Sequence, residues 1–483
     1  MTNLSDVRYR LLSFVVIVSG LFLFTSCESA LDQETFSELS AEGFLKTKNG
    51  VRSALNGTYE NFHNRRDMQY RKLIDVFEAG YGYNESGSFE ARYASIHEKF
   101  LWNSNDNMAE DNWEYGYEII REANIVLDAL ENNEFNEGFV QEVRPQALAM
   151  RGFAYNFLYK FFGTVPIFTS SNPETTTKPR ASEEDLLNRI ETDLTNAISN
   201  LPIQQEEFGR VTKGAALTML AKHYLNTKKW QKAIDVTDQV INLGEYRLLD
   251  NYQEIFSYSN EKNDEIIYAF PSDVANAPSW PLMCITIPTD FPLKSNQSTC
   301  AARLYAYDWF INSFAEDDTR DDDLVRSYTN KDGKEVNGFG ENKTLMMFKY
   351  GPDPNANGVT AGLDLIMFRY ADILLSKAEA LNEINGPNSE SIRLINMIRE
   401  RAGVEPVSQG DFASKQDLRD FIFEERRKEL YYEGKSREDL IRWEKYISRA
   451  QERGVDAQPF HRLYPIPQSE LDANPEIEQN PGY

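Results

Sequence analysis

A helical repeat of apolar residues between positions 220 and 241 constrains the fold of this chain more than any other feature. The segment LAKHYLNTKKWQKAIDVTDQVI places small and aromatic residues at the spacings of a tetratricopeptide unit, a helical hairpin in which small side chains let two helices approach. The matching positions are Leu220, Ala221, Tyr224, Trp230, Ala233, Ile234, Val240 and Ile241. The segment therefore predicts a helical hairpin within a larger stack, because one such unit cannot bury its apolar face alone.

Other stretches have the same helical period. Trp113 and Ile120 share one helical face in WEYGYEIIREANIVLDAL, and a second apolar stripe runs from residue 147 to residue 161. Towards the C-terminus, FRYADILLSKAEALNEI and SIRLINMIRERAG predict a further helical pair. We therefore expect a mainly α fold: a tetratricopeptide-like scaffold of helical pairs, over about residues 40–245 and 361–450, with long loop-rich insertions and minor β-structure.

Turn-forming residues are concentrated between residues 246 and 360, in APSWP, TIPTDFPL, NKDGKEVNG and GPDPNANG. Loops and short strands are expected there, with a β-hairpin around DGKEVNG. Residues 66–112 form a second loop-rich region, and residues 451–483 are expected to form an extended C-terminal segment. Because recognition residues tend to lie on loops held by a rigid scaffold, the loop-rich part between residues 246 and 360 is predicted to be the ligand side.

The first 27 residues have the pattern of an export signal. Arg8 and Arg10 precede an apolar run of 14 residues, Leu11–Phe24, whereas a helix needs about 20 apolar residues to span a membrane. The run ends in two small polar residues directly before Cys27, as in the lipobox of bacterial lipoproteins. Residues 1–26 are therefore predicted to be a lipoprotein signal peptide and Cys27 the acylated N-terminus, with a plain cleaved signal as the alternative.

Charge and cysteine content limit the partners and the compartment. The formal net charge is -25, and it becomes -26 without residues 1–26, which hold Asp6 against Arg8 and Arg10. A field of this sign repels nucleic acid, so we expect no nucleic-acid partner. Beyond the predicted lipidation site, Cys284 and Cys300 remain; in an exported chain they either form one disulfide or stay as two buried thiols.

Signatures of metal-dependent or nucleophilic catalysis are missing from the sequence. HExxH, GxSxG, P-loop and GxGxxG motifs do not occur, and the four histidines are scattered along the chain. No catalytic residue is predicted. Paired carboxylates could still form a glycosidase dyad, because a sequence does not measure the distance between two carboxyl groups.

Two acidic clusters each have two interpretations. In EERRKELYYEGKSREDLIRW, Glu425, Glu429 and Glu433 alternate with arginines, which favours a helix with charge pairs that fix a turn over a catalytic or substrate-binding carboxylate. The run Glu316–Asp323 could bind Ca²⁺, but it lacks the EF-hand spacing and its glycine, and a solvated acidic loop is favoured. No other metal or cofactor is expected.

Aromatic rings in loops are the remaining candidates for ligand binding. An exposed ring can stack on the apolar face of a sugar while amide or guanidinium groups hydrogen-bond to the sugar hydroxyls. Each of these rings could instead pack in the core. The predicted stacking residues are Trp102, Trp280, Tyr83, Phe89 and Tyr93, and the predicted hydroxyl partners are Asn103, Asn105 and Arg92.

Several motifs in a fixed order resemble one family. After Cys27, Leu31 and Asp32, two motifs come first: WEYGYEIIREANIVL and AMRGFAYNFLYKFFGTVPIF. Four more follow towards the C-terminus: FRYADILLSKAEALNE, INMIRERAG, FIFEERRKELYYEGKSREDLIRW and LYPIPQSELDANPEIEQNPGY. This order resembles the SusD/RagB family of outer-membrane nutrient-binding lipoproteins. The resemblance implies one mostly helical domain over residues 27–483. The C-terminal motifs are structural in that family, so none of them is transferred as a ligand contact.

The resemblance also implies a location and a role. Such lipoproteins are tethered by lipid to the outer leaflet of the outer membrane, face the cell exterior and cover a TonB-dependent transporter, to which they pass glycans or other nutrients. They bind and do not catalyse. Because the chain is strongly acidic, a neutral glucan is the expected ligand. A peptide or another nutrient in the same transport role, and a secreted glycoside hydrolase, are the alternatives.

Overall fold

The structure is a computed structural model that describes residues 41–84, 89–279, 286–293, 298, 304–339 and 345–483. Residues 41–47 belong to a first compact unit, and residues 48–483 form a second. The first unit contains helix α1, Ala41–Leu45, after which the backbone N–H of Thr47 donates to the carbonyl of Phe44. Within these described ranges, no helix combines the length and the apolar character needed to cross a bilayer.

The N-terminal half of the second unit is helical, as the apolar periodicity predicts. Polar side chains begin five of its helices by accepting a hydrogen bond from a backbone N–H of the first turn: Asn64, Asp106, Asn136, Ser182 and Thr212. The helices of this half are α2 (Lys48–Phe62), α3 (Arg65–Ala79), α4 (Phe89–Glu98), α5 (Asn107–Asn132), α6 (Glu137–Phe162), α7 (Glu183–Asn200), α8 (Lys213–Asn226) and α9 (Trp230–Asn242).

From α5 to α9 each helix packs on the next, α2 packs on α5, and α8 contacts α7, α9 and a C-terminal helix. Every residue of α8 from Gly214 to Leu225 is buried. The hairpin predicted over residues 220–241 is confirmed as α8 and α9. Six of its eight predicted positions are buried: Leu220, Ala221, Tyr224, Ala233, Ile234 and Val240.

The C-terminal part returns to the same stack. The predicted helical pair is confirmed as α11 and α12, and Asn388 begins α12 by accepting a hydrogen bond from the backbone of Ser391. The helices of this part are α10 (Asp308–Ile311), α11 (Tyr370–Asn385), α12 (Ser389–Arg401), α13 (Lys415–Leu430), α14 (Ser436–Arg442), α15 (Tyr446–Glu452) and α16 (Gln468–Ala473). The mainly α fold class is confirmed.

Strands are short, and in the described part of the chain they form antiparallel pairs. The predicted hairpin around DGKEVNG is confirmed, because β5 and β6 pair Ser327 with Asn337 and Thr329 with Glu335. The other pairs are β1 with β3, β2 with β8, and β4 with β7. The strands are β1 (Gly82–Tyr83), β2 (Ile266–Phe270), β3 (Tyr305–Ala306), β4 (Leu324–Val325), β5 (Ser327–Thr329), β6 (Glu335–Asn337), β7 (Met346–Met347) and β8 (Leu365–Arg369).

Helix α13 presents its acidic side chains to the interior of the molecule. Guanidinium nitrogens of Arg369 and Arg401 each lie 2.5 Å from Oε1 of the buried Glu429. Arg369 also donates to both oxygens of Glu433 at 2.8 Å and to Glu265 at 2.9 Å. The charge pairs predicted for this segment are confirmed, although they are buried rather than on a solvated helix face.

Arg320 extends this buried network into the loop-rich region. Its guanidinium group donates to both oxygens of Asp318 at 2.8 Å and to Glu425 at 2.5 Å. The prediction of a solvated loop over Glu316–Asp323 is therefore wrong for Asp318, which is only 2% exposed. The physical reason is that Arg320, inside the same run, neutralises Asp318 and brings it into the core.

Arg369 is the arginine whose loss we expect to be most damaging. Arg369→Met leaves the carboxylates of Glu265, Glu429 and Glu433 buried with less compensating charge, and removing one partner of a buried pair costs about 3–5 kcal/mol. We therefore expect the free energy of unfolding in urea to fall by that amount. Arg52→Met is the matched control, because Arg52 and Glu142 pair on the surface with side chains 47% exposed, and it should cost less than about 1 kcal/mol. Equal losses in both variants would contradict this account.

Candidate functional site

The pairing of β1 with β3 joins the segment between α3 and α4 to the loop-rich region after residue 246. The prediction of a second loop-rich region over residues 66–112 is wrong for most of that range, which lies in α3, α4 and the start of α5. Gly82 lies opposite Ala306 and Tyr83 opposite Tyr305, and the backbone N–H of Tyr307 donates to the carbonyl of Tyr81 at 2.9 Å. A side chain at position 82 would clash, because a Cβ atom there would lie 2.5 Å from Leu304 and 2.7 Å from the carbonyl of residue 305. A glycine is thus needed where the two loops approach most closely.

Aromatic side chains cluster around this pairing, and we call Tyr83, Tyr305, Tyr307 and Trp309 the aromatic surface. The ring centroid of Tyr83 lies 5.9 Å from that of Tyr305 and 4.8 Å from that of Tyr307, and all three rings are half-buried. Trp309 is 38% exposed and packs edge-on against Tyr81. These rings are held on one side by protein and reach solvent on the other, as a stacking site requires.

Polar groups lie at the edge of the aromatic surface. The hydroxyl of Tyr307 donates to Glu98 at 3.0 Å. Burial raises the pKa of the Glu98 carboxyl, and the hydrogen bonds from Tyr307 and from the backbone of Asn84 partly offset that effect. The arrangement places hydroxyl and carboxylate oxygens beside the rings, where they could accept hydrogen bonds from a polyol.

A second aromatic contact fixes residues 286–293 to the hairpin of β5 and β6. Phe291 packs on Tyr328 with ring centroids 5.0 Å apart, and Asp290 accepts hydrogen bonds from the hydroxyl of Tyr328 at 2.8 Å and from Asn330 at 3.1 Å. This segment of the loop-rich region is therefore anchored by specific side chains.

The predicted site residues have different placements. Tyr83 lies on the aromatic surface, and Asn103 and Asn105 are exposed on the turn before α5, where the Asn103 side chain accepts a hydrogen bond from the backbone of Asn105 at 2.9 Å. Tyr305, Tyr307 and Trp309 were not predicted, although aromatic residues at every second position from 305 to 309 were a signal for them. The predicted residues whose side chains lie outside the described part of the structure are Cys27, Phe89, Arg92, Tyr93, Trp280, Cys284 and Cys300.

Trp102 packs in the interior, and this corrects its predicted role as a stacking residue. Its side chain is 4% exposed, its ring stacks on His97 at 5.3 Å and lies 4.7 Å from Phe100, and its indole N–H donates to the Tyr483 hydroxyl at 2.6 Å. Phe100 adopts a left-handed conformation with a φ of 56°, which reverses the chain after α4. The reversal exposes Leu101 and turns Trp102 inwards.

His97, which covers one face of Trp102, is fully buried between two carboxylates. Its Nδ1 lies 2.8 Å from Glu78 and its Nε2 lies 3.5 Å from Asp106. Burial alone would lower the pKa of His97, but the contacts with Asp106 and Glu78 outweigh it and raise that pKa to about 9. His97 is thus a charged structural partner of Trp102 at neutral pH.

The described residues do not group into a metal site, and the carboxylates of Glu429 and Glu433 around Arg369 do not have the pKa of a general acid. No group of three or more metal-ligating side chains occurs among them, the acidic run Glu316–Asp323 included. Burial would raise the pKa of Glu433, but Arg369 and Lys349 outweigh that effect and lower it to about 2. A general acid for glycoside hydrolysis needs a raised pKa instead, so Glu433 functions as a structural anion.

Because Trp102 is buried, its substitution distinguishes a role in core packing from a role in stacking on a ligand. Trp102→Ala should lower the free energy of unfolding by about 3–5 kcal/mol, because it leaves a cavity between His97 and Phe100. Asn105→Ala, at an exposed position of the same turn, should change it by less than about 0.5 kcal/mol. Urea unfolding of both variants provides the measurement. An unchanged stability in Trp102→Ala would reinstate the ring as a ligand contact.

Comparison with known proteins identifies relatives of this chain. A family model described as SusD family matches residues 296–483, and a model described as "Starch-binding associating with outer membrane" matches residues 31–225. SusD-like protein P25 from Formosa agariphila is 27% identical over 98% of this chain and 100% of its own length. The starch-binding protein SusD from Bacteroides thetaiotaomicron is 25% identical, over 79% of this chain and 80% of its own length.

A solved structure has the same fold. Surface glycan-binding protein A from Bacteroides thetaiotaomicron, in complex with laminarihexaose, superposes with a TM-score of 0.75 at 20% identity, over 89% of this chain and 99% of that one. Both ends of the sequence match models of one family, the curated relatives extend over nearly all of the chain, and the fold agrees. The chain belongs to the SusD/RagB family.

Proposed function

We propose that this protein is a cell-surface binder of glycans and that the aromatic surface is where it holds them. The observation that supports this most directly is the β1–β3 pairing, which sets Tyr83, Tyr305 and Tyr307 side by side where the segment between α3 and α4 meets the loop-rich region. Half-buried rings with hydroxyl and carboxylate neighbours suit a pyranose, which has apolar C–H faces and a polar rim.

A neutral glucan is the proposed class of ligand. Relatives include proteins described as starch-binding and laminarin-binding, and laminarihexaose is a glucose oligomer without ionisable groups. The net charge of -25 favours an uncharged ligand over a carboxylated or sulfated one. Tyrosine hydroxyls and the Glu98 carboxylate are suited to sugar hydroxyls, because an acceptor oxygen that is already partly desolvated forms a stronger hydrogen bond.

In this proposal, the protein passes its ligand to a TonB-dependent outer-membrane transporter and does not hydrolyse it. The role follows from membership of a family named for binding and for association with the outer membrane. Binding without catalysis is also consistent with the neutralised carboxylates of α13, which hold the fold together and are occupied by arginines. A peptide or another nutrient in the same transport role is the competing ligand class.

Removal of rings from the aromatic surface tests the proposed site. Tyr83→Ala and Tyr305→Ala should each weaken binding of laminarihexaose in calorimetry by roughly three- to tenfold, because each deletes one stacking contact. Tyr246→Ala is the matched control, since Tyr246 is a half-buried tyrosine in the loop after α9, with its ring 6.5 Å from that of Tyr370 and outside the aromatic surface, and it should leave the affinity unchanged. Equal affinities for laminarihexaose in all variants would contradict the assignment of the aromatic surface as the binding site.

A panel of ligands separates the ligand classes in the same assay. Laminarin and starch represent neutral glucans, alginate represents carboxylated glycans, and a casein hydrolysate represents peptides. Binding of the neutral glucans alone supports the proposal, and binding of the hydrolysate alone supports the nutrient alternative. Release of reducing ends from any glycan would contradict a purely binding role.

We further propose that residues 1–26 are removed and that Cys27 is lipidated, so that residues 27–483 form an exported domain anchored only through lipid. The apolar run of 14 residues followed by small residues and Cys27 supports this. Lipid chains contribute roughly 0.8 kcal/mol for each CH₂ group buried in the bilayer.

Substitution of the cysteine tests the anchor separately from the ligand site. In a Gram-negative host, Cys27→Ala should stop incorporation of labelled palmitate and move the protein from the membrane fraction to the soluble fraction, with laminarihexaose affinity retained. Cys284→Ala is the control for cysteine loss and should leave fractionation unchanged. A Cys27→Ala protein that still incorporates palmitate would overturn the anchor.

A further inference from the structure

The helical scaffold contains a cleft that shares no residue with the aromatic surface. Its volume is about 750 Å³, and it lies between α3, α6, α8 and α14. Apolar side chains form most of its inner wall: Met68, Phe153, Phe157, Met219, Met367 and Phe368. A cavity of this size matches the sites that hold small organic ligands, and flexible methionines let such a wall adapt to shape.

One side of the cleft carries two buried lysines. Nζ of Lys72 donates to the carbonyl of Ile366 at 2.6 Å and to the hydroxyl of Tyr350 at 3.0 Å, and Nζ of Lys435 donates to the carbonyl of Met367 at 2.9 Å. The two ammonium groups thus bind the carbonyls of successive residues in β8, and both side chains line the cleft. Among the described residues, no carboxylate lies within 4.0 Å of either Nζ.

Two further lysines of the cleft are paired with carboxylates. Lys160 and Lys222 share Glu438, at 2.6 Å and 2.8 Å, and Lys222 also lies 3.2 Å from Asp372. Other cations of the lining have partners too, since Arg442 contacts Glu379 and Lys228 contacts Glu444. The cationic character of the wall therefore rests on Lys72 and Lys435.

Burial and the neighbouring cations Lys435 and Lys349 lower the pKa of Lys72 to about 7, against the opposing effect of Glu433. Nearby carboxylates are Glu433 for Lys72 and Glu438 and Asp372 for Lys435, and none of them lies within 4.0 Å of the Nζ concerned. An anion bound beside these buried ammonium groups would therefore relieve part of their desolvation cost. An apolar wall with adjacent unpaired cations is complementary to a ligand with an apolar body and an anionic end.

We propose that this cleft is a second binding site, for a small amphipathic carboxylate whose apolar body lies against the methionines and phenylalanines and whose carboxylate lies between Lys72 and Lys435. The mouth of the cleft includes Lys160, Thr164 and Arg462, which are half-buried or exposed, so a ligand has a route from solvent. An acyl chain and an aromatic ring both meet this description.

Matched probes test the charge and the shape of the ligand in calorimetry with the full mature chain. Decanoate should bind, and decyltrimethylammonium, which has the same chain and the opposite charge, should bind at least about tenfold more weakly. Naphthalene-2-carboxylate distinguishes an aromatic from an aliphatic body. Equal binding of the anionic and cationic probes, or no binding of either carboxylate, would overturn the proposal.

Variants locate that binding in the cleft. Lys435→Met should weaken the bound carboxylate on the order of tenfold, because it removes a charged hydrogen-bond donor. If Lys435→Met does not fold, two other variants give the same test: Lys160→Met at the half-buried mouth, and Met68→Trp, which fills the inner end of the cleft. Lys178→Met is the control, because Lys178 packs over Phe168 outside the cleft.

The two sites are distinguishable in one set of proteins. The cleft variants should keep the affinity of the parent chain for laminarihexaose, and the tyrosine variants of the aromatic surface should keep its affinity for decanoate or naphthalene-2-carboxylate. Carboxylate binding that is unaffected by every cleft variant would place the bound probe elsewhere and overturn the assignment.

Discussion

The contact between Arg369 and Glu429 is the interaction on which the rest of this structure depends. Arg369 ends β8 and precedes α11, and its guanidinium group contacts carboxylates from β2's leading loop, from α13 and from the turn that follows α13. Charges buried this deeply stabilise a fold only when each has a partner. Here two arginines and a lysine form ion pairs with the acidic side chains. The network thus fixes the relative positions of segments that are far apart in sequence.

The same network attaches the loop-rich region to the helical stack. Arg320 joins the acidic run to Glu425 on α13, and Nζ of Lys349 donates to the backbone carbonyls of Glu429 and Tyr431. Arg427, also on α13, lies 5.1 Å from the ring of Trp309. One end of the aromatic surface, Trp309, is therefore in contact with a charged side chain of α13.

The sequence predicts the scaffold well because helical periodicity is a local property. The α8–α9 hairpin, the α11–α12 pair and the β5–β6 hairpin all follow from spacing and turn residues within about 35 positions. The burial of Trp102 depends instead on the left-handed turn at Phe100 and on Tyr483, which lies at the other end of the chain. The pairing of Tyr83 with Tyr305 is also non-local, so the loop aromatics could be identified from the sequence as a group but not sorted into packed and exposed rings.

The two lysines of the cleft contrast with the network around Arg369. A scaffold that only needed to be stable could place methionine or leucine at positions 72 and 435, since replacing a buried charge with an apolar side chain is often neutral or stabilising. Every cation of the α13 network contacts a carboxylate, whereas Lys72 and Lys435 contact carbonyl or hydroxyl oxygens and aromatic rings and border open space. Their free energy cost is therefore explained by a bound anion, and the protein would then recognise an uncharged ligand on its loops and a charged one within its helices.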